Sequence, residues 1–309
     1  MFYDRNIHLH KIQSLDPIKD CEEIVQISVM YEFPWDYNRA LELALYKTYA
    51  VPSISKILHL SGEFERNVTK RYDDTDILLS EIMENGFSSK KGEEYIEYMN
   101  WIHSHYPISN EDYLYVLSTF IYESERWINR FGYRKLCKNE ELAGYNYWIE
   151  VGKRMGIQDI PKDIDAFRKF NEEYENQHFE YSPNNTKIAT VTENLMLSWF
   201  LPKFLYFIGR PFLHSIMEPN LLDAFQHKRP NPIIRFLSIN TLKLRGKLVQ
   251  LLPPRTQAFR RTGKDSKHDY YPNGYTKNDI GPDILKKKSS CPYRSVKKYF
   301  ESNDLSESV

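Results

Sequence analysis

Apolar positions recur along this chain at spacings of three and four, and alternation with a period of two is rare, so the pattern predicts helices almost throughout. Residues 70–83 run without glycine or proline up to Gly86 and put Arg71, Thr75, Leu78 or Leu79, and Ile82 on a shared face. Residues 95–105, ended by Pro107, put Ile96, Met99, His103 and Tyr106 on one face, while His105 points elsewhere with Tyr98 and Trp101. Ser109 to Asp112 resembles a capping box ahead of a helix over 113–128, closed by Gly132. Asn139, followed by Glu140 and Glu141, predicts the cap of a helix running to Met155, with Gly156 as its stop. Pro161 opens a further helix through 165–174. Residues 177–187 read as a polar connector, and helices are expected over 219–225 and 232–252.

The apolar stretch 195–213 comes nearest to a membrane span, but Pro202, Lys203, Gly209 and Arg210 break it. The opening residues lack an apolar core of the signal-peptide kind, so a cytoplasmic location is expected. Cys21, Cys137 and Cys291 are far apart, form no zinc spacing, and suit a reducing compartment. Lys plus Arg and Asp plus Glu both number 42, so no overall field draws the protein to nucleic acid. From about residue 255 the composition turns polar. Residues 1–255 are therefore expected as one folded domain and 256–309 as a polar, partly disordered tail, with residues 270–275 docking part of it.

A histidine within an apolar stripe needs a partner for its ring nitrogens, and for His103 that is a backbone carbonyl, a side chain or a metal. On pattern alone a satisfied core histidine is the commoner case. Arg71 with Thr75 is by itself most often an arginine reaching out from the edge of a core. Facing a buried histidine across a small cavity, the same pair suits the distal side of an iron site. His214, in the apolar stretch, is the best rival to His103. His178, His227 and His268 lie in polar connectors and are expected to face solvent. Glu63 and Glu65 are acid–base candidates near Arg71, against the commoner role of surface carboxylates before a helix. GxGxxG, GxxxxGK, GxSxG and HExxH are all absent, which removes the usual dinucleotide, phosphate-loop, serine-hydrolase and zincin signatures.

Three runs carry a family resemblance: Lys70-Arg-Tyr-Asp-Asp-Thr75, Met99-Asn-Trp-Ile-His103, and the stretch from Tyr106 to Phe120. With the later segments 125–132, 147–161 and 197–200 they are similar to the MpaB and rubber oxygenase (latex-clearing protein) family, nearer its MpaB-like branch, over roughly residues 40–255. The resemblance implies one all-α domain with a globin-like core around a b-type haem. It implies that His103 is the proximal iron ligand and that Arg71 and Thr75 lie on the distal side, binding the cofactor's oxygen ligand and serving as catalytic residues. The implied activity is a haem-dependent oxygenase using dioxygen on an apolar substrate, an isoprenoid or other unsaturated lipid-like chain, by oxidative cleavage of a carbon–carbon double bond. Rubber oxygenases can carry a lysine just before the threonine, where this chain has Asp74, a different distal group. Two alternatives remain open: a non-catalytic carrier of haem or an apolar ligand, and a metal-free interaction protein. The aromatics of 195–213 with Lys203 and Arg210 also suit a peripheral membrane contact, weighed against a buried pocket wall, which the match at 197–200 favours.

Overall fold

The computed structural model describes residues 3–263 and 268–286. All its regular elements are helical, as the hydrophobic period predicts: α1 (Ile7–Ser14), α2 (Cys21–Ile27) with a π turn at Ser28–Glu32, α3 (Pro34–Thr48), α4 (Pro52–Ser61), α5 (Glu63–Asn85), α6 (Lys90–His103) and α7 (Asn110–Phe131). They continue with α8 (Lys138–Arg154), α9 (Ile164–His178), α10 (Pro183–Ser198), α11 (Tyr206–His214), α12 (Pro219–Ala224), α13 (Pro232–Gln250) and the short α14 (Asp283–Lys286).

Several helix ends follow from local chemistry. The Ser109 hydroxyl accepts from the Asp112 amide at 3.0 Å and starts α7 as expected. Gly86, at φ +80°, ends α5 in a conformation that a side chain would resist. Other starts differ from the sequence expectation. α8 is capped two residues early, at Cys137, whose amide donates to Glu140 at 2.8 Å. Asn139 instead turns away and donates to the carbonyls of Ile12 and Leu15. Asp163, not Pro161, caps α9 through the Ala166 amide. The expected connector 177–187 gives way at Ser182, which caps α10, with Pro183 in the first turn and Ile188 and Ala189 fully buried. A serine cap followed by proline outweighs the polar composition around it.

α7 runs through the centre and buries Tyr115, Leu117, Tyr122, Trp127 and Phe131. It packs against α3, α8 and α9, while α5 pairs with α6 and α2 with α8. Each such large side chain contributes roughly 1.5–3 kcal/mol on burial, which makes α7 the element the others assemble on.

The docking expected of residues 270–275 is present and extends in both directions along α5. Arg261 pairs with Asp76 at 2.5 Å. The Tyr270 amide donates to Asp73 at 2.7 Å, and the Tyr271 and Tyr275 hydroxyls donate to Asp74 and Glu81. Tyr98 holds the carbonyl of Ile280, which is fully buried. Packing therefore does not stop at residue 255. Residues 264–267 and 287–309, the rest of the expected tail, lie outside the described residues, as does Cys291.

Candidate functional site

Two cavities meet beside α5. The larger, about 220 Å³, is walled by α3 to α8, with Gly281 and Pro282 of the C-terminal strap closing one side. Leu45, Ile57, Leu78, Met99, Val116, Phe120 and Trp148 make most of its surface apolar. The smaller, about 70 Å³, is lined by Tyr37, Glu42, Tyr72, Leu195 and Phe259. Leu45, Tyr49, Arg71, Thr75 and Leu79 line both, so Arg71 and Thr75 stand where the two adjoin.

His103 is the last residue of α6 and lines the larger cavity. Its Nδ1 is buried and has no hydrogen-bond partner among the described residues. Burial, helped by the nearby positive charge of Arg71, pushes the imidazole pKa down to about 4. The ring is therefore neutral at physiological pH and keeps a lone pair. Its aromatic neighbour is Tyr113, 5.7 Å between ring centroids.

Arg71 and Thr75 lie one helical turn apart on α5. The Arg71 guanidinium donates to the Thr75 hydroxyl, and that hydroxyl donates to the Arg71 carbonyl at 3.0 Å. The guanidinium also sits 5.5 Å from the Phe64 ring. No carboxylate pairs with Arg71 among the described residues, so its charge remains available to the cavity. Asp74 also lines this cavity, but its carboxylate is engaged by Lys70 at 2.7 Å and by the Tyr271 hydroxyl at 2.6 Å. Lys70 also donates to the Gly281 carbonyl at 2.6 Å. Asp74 thus fastens the strap.

The two glutamates weighed as acid–base groups separate. Glu63 is buried, lines the larger cavity and pairs with Arg66 at 3.2 Å. Glu65 is exposed and committed to His59 at 2.5 Å and Lys187 at 2.8 Å.

The rival histidine belongs to a second, separate cluster. Glu193 Oε1 is reached by His214 Nε2 at 2.9 Å, His227 Nε2 at 2.8 Å and the Tyr46 hydroxyl at 2.6 Å, while Arg210 holds Oε2 at 3.0 Å. Burial alone would raise the Glu193 pKa, but hydrogen bonds from His214 and His227 and their charge hold it far below the usual carboxylate range. The three ligand-type atoms lie within 4.8 Å of one another, a reach that a metal ion can bridge. The ring geometry argues against that use. The two imidazoles stack at 4.4 Å with planes 12° apart. An ion about 2.0–2.1 Å from both nitrogens would sit far out of each ring plane. The cluster reads as a closed hydrogen-bond network.

Three expectations for histidines are corrected here. His227 is nearly buried in that cluster, and His268 is buried and bonded to the Arg261 carbonyl at 3.0 Å, so neither faces solvent. His178 is half-buried, stacked 4.0 Å from Tyr174. Polar sequence neighbours conceal this for His227 and His268, because Glu193 and Asp76 come from elements distant in the chain, whereas His178 packs on Tyr174 of its own helix.

No family model matches the chain. Over 247 residues it is 29% identical to the ER-bound oxygenase mpaB' of Penicillium brevicompactum, covering 74% of this chain and 58% of that protein. It is 29% identical over 224 residues to the ER-bound oxygenase mpaB of Penicillium roqueforti, covering 66% of this chain and 75% of the relative. A second Penicillium brevicompactum protein, also named ER-bound oxygenase mpaB, is 28% identical over 185 residues. The match thus spans little more than half the length of the first of these relatives. The chain is MpaB-like, in agreement with the resemblance carried by its own segments.

Proposed function

We propose that this MpaB-like chain is a haem b-dependent oxygenase acting on an apolar, isoprenoid or other unsaturated lipid-like substrate, cleaving a carbon–carbon double bond with dioxygen. The observation that carries the reading is His103: a neutral imidazole with an unpartnered buried nitrogen, on the wall of an apolar cavity that Arg71 and Thr75 also line. An orphaned buried polar atom is costly, and a ligand bond from outside the chain removes that cost. The donor set suits a haem: one neutral imidazole, apolar walls for the macrocycle, and a cation with a hydroxyl beside them. The names of the mpaB relatives support an oxygenase and say nothing of haem.

On this reading His103 would hold the iron. A bound haem would supply the dioxygen chemistry that no side chain provides. Arg71 sets a positive charge where the two cavities adjoin, and Thr75 fixes its direction through their mutual hydrogen bonds. The aliphatic and aromatic walls exclude water and offer a long apolar chain a surface without polar demands. Glu63 lines the edge of the same cavity, with its carboxylate turned to Arg66.

The absorption spectrum of the purified protein tests this. Haem-supplemented expression should yield a Soret band in roughly stoichiometric amount, and incubation with an isoprenoid chain under air should give carbonyl-terminated fragments. A protein with no Soret band after supplementation loses the haem reading. A stable haem band with no turnover of any unsaturated chain would favour the carrier alternative.

A further inference from the structure

α13 is apolar on both sides, which is unusual for a helix on the outside of a domain. One side faces inward: Ile239, Leu242 and Val249 pack on the core, and Gly246 presses so close that a Cβ there would lie 2.5 Å from the Phe131 carbonyl oxygen. The other side carries Ile233, Leu237, Leu244, Leu248 and Leu251 at helical spacing, and these are 51–81% exposed. α11, packed alongside, adds Phe207, Ile208 and Phe212, and Phe204 just before it is 74% exposed. Single exposed apolar residues are ordinary, but a contiguous face of this kind marks an interaction surface.

Charge identifies the partner. The chain is neutral overall, yet it holds no Asp or Glu between Asp223 and Asp265. Arg235, Lys243, Lys247, Arg255 and Arg260 are all exposed in that stretch. Lys243 and Lys247 flank the apolar stripe of α13. A second copy of the chain would bring the same basic residues against one another across a two-fold axis. An anionic lipid surface matches both features, taking the apolar side chains below its headgroups and the cations at phosphate level. Among the described residues no helix is long and apolar enough to cross a membrane, so α13 would lie in the interface.

The same face leads toward the site. Arg245 of α13 lies 4.0 Å over the ring of Trp35, which is partly exposed. Arg39 bridges Trp35 and Trp199 at 5.9 and 5.7 Å, and the Trp199 ring lies 5.0 Å from that of Tyr72, tilted by 59°, on the wall of the smaller cavity. Phe259, exposed at the end of the basic stretch, lines that cavity too.

We infer that the exposed faces of α11 and α13 dock the protein on an anionic bilayer, and that the smaller cavity is the passage by which a membrane-resident apolar chain reaches Arg71 and Thr75. The passage rests on the proposed function; the docking does not. The test therefore reads lipid binding alone, with no need for haem or turnover.

The full chain should float with phosphatidylcholine vesicles that contain phosphatidylserine at low salt. Leu244→Glu and Leu248→Glu should each weaken that binding by about tenfold or more. The charge reversal Lys243→Glu with Lys247→Glu should weaken it at least as much. Ile18→Glu, exposed elsewhere, should leave it unchanged. All these side chains are exposed, and circular dichroism checks that the variants stay folded. Lipids brominated in their tails should quench tryptophan fluorescence, less so in Trp35→Phe and Trp199→Phe. A wild-type protein left in the supernatant with anionic vesicles overturns the docking, as does a wild-type dimer split by Leu244→Glu without lipid binding. Vesicle binding with quenching unaltered in both tryptophan variants overturns the passage.

Discussion

The histidine at the end of α6 and the pair formed by His214 at the end of α11 and His227 just after α12 are buried or nearly so, and they solve the same problem in opposite ways. His214 and His227 find their partner inside the chain, a carboxylate that also takes Tyr46 and Arg210. His103 finds none for Nδ1 among the described residues and sits against a cavity. A satisfied network adds specificity to the fold and leaves no valence over, whereas an unsatisfied buried nitrogen beside an apolar space costs about 1–3 kcal/mol unless something added pairs with it. Burial and proximity of histidines therefore do not by themselves mark a centre. What sets His103 apart is an unmet hydrogen bond that also borders an apolar cavity, and that combination is what supports the proposed iron site.

The sharpest way to break this comparison is to remove each histidine. His103→Ala should yield a helical protein that binds essentially no haem, while His214→Ala keeps the Soret band. If the first variant retains a full, unchanged spectrum and the second loses it, the roles are reversed. Next, Glu193→Ala leaves the Tyr46 hydroxyl and two largely buried imidazoles without their carboxylate, and should lower stability by about 3–5 kcal/mol in urea unfolding with no change in the haem spectrum per folded molecule. A loss below about 1 kcal/mol would mean the cluster is not a structural network. Arg71→Ala should reduce turnover by about a hundredfold or more, roughly 3 kcal/mol in the barrier, with haem content and melting little changed. Collapse of the fold instead would make Arg71 a core partner.

The smallest expected effect contrasts two buried carboxyls. Glu42, on the smaller cavity, accepts from Arg39 and Tyr72, each at 2.5 Å, yet burial pushes its pKa up to about 7. The folded state then keeps a proton that the unfolded chain, with an ordinary value of 4.5, has lost. Its contribution is present below about pH 4.5 and fades as pH rises to 7, by at most about 3 kcal/mol. Glu193 has the opposite sign: its ionised form is favoured in the fold, so its contribution is present above about pH 4.5 and is lost progressively as pH falls below that. Glu42→Gln should flatten the pH dependence of unfolding between 4.5 and 7. An unaltered profile would show that Glu42 titrates normally.

Much of the frame was legible in the chain because it is local. Helical period, Ser109, Gly86 and the face shared by Arg71 and Thr75 all act within a few residues, and α5, α6 and α7 appear where the pattern places them. Starts that depend on competing caps were misplaced, as at Cys137 and Ser182. The cavity position of His103 followed from its stripe, but its missing partner did not, since that depends on what every neighbouring helix offers. Glu193, His214 and His227 are separated by 21 and 13 positions with no motif between them. The strap was only half visible, through the tyrosines of 270–275. Its acidic receptors lie some two hundred residues earlier, in α5.

That distance sets an order of assembly. Lys70 and the Gly281 carbonyl it binds are 211 positions apart. Synthesis delivers α3 to α8, which wall the larger cavity, well before Gly281 and Pro282 leave the ribosome. Until then the pocket lacks the side those two residues complete. A bulky rigid ligand would meet an open side until then, and Gly281 and Pro282 complete the wall afterwards. After that this side of the pocket opens only if Lys70, Asp74 and Tyr271 let go together, so access through it becomes a matter of how often the strap peels, a rate rather than an affinity.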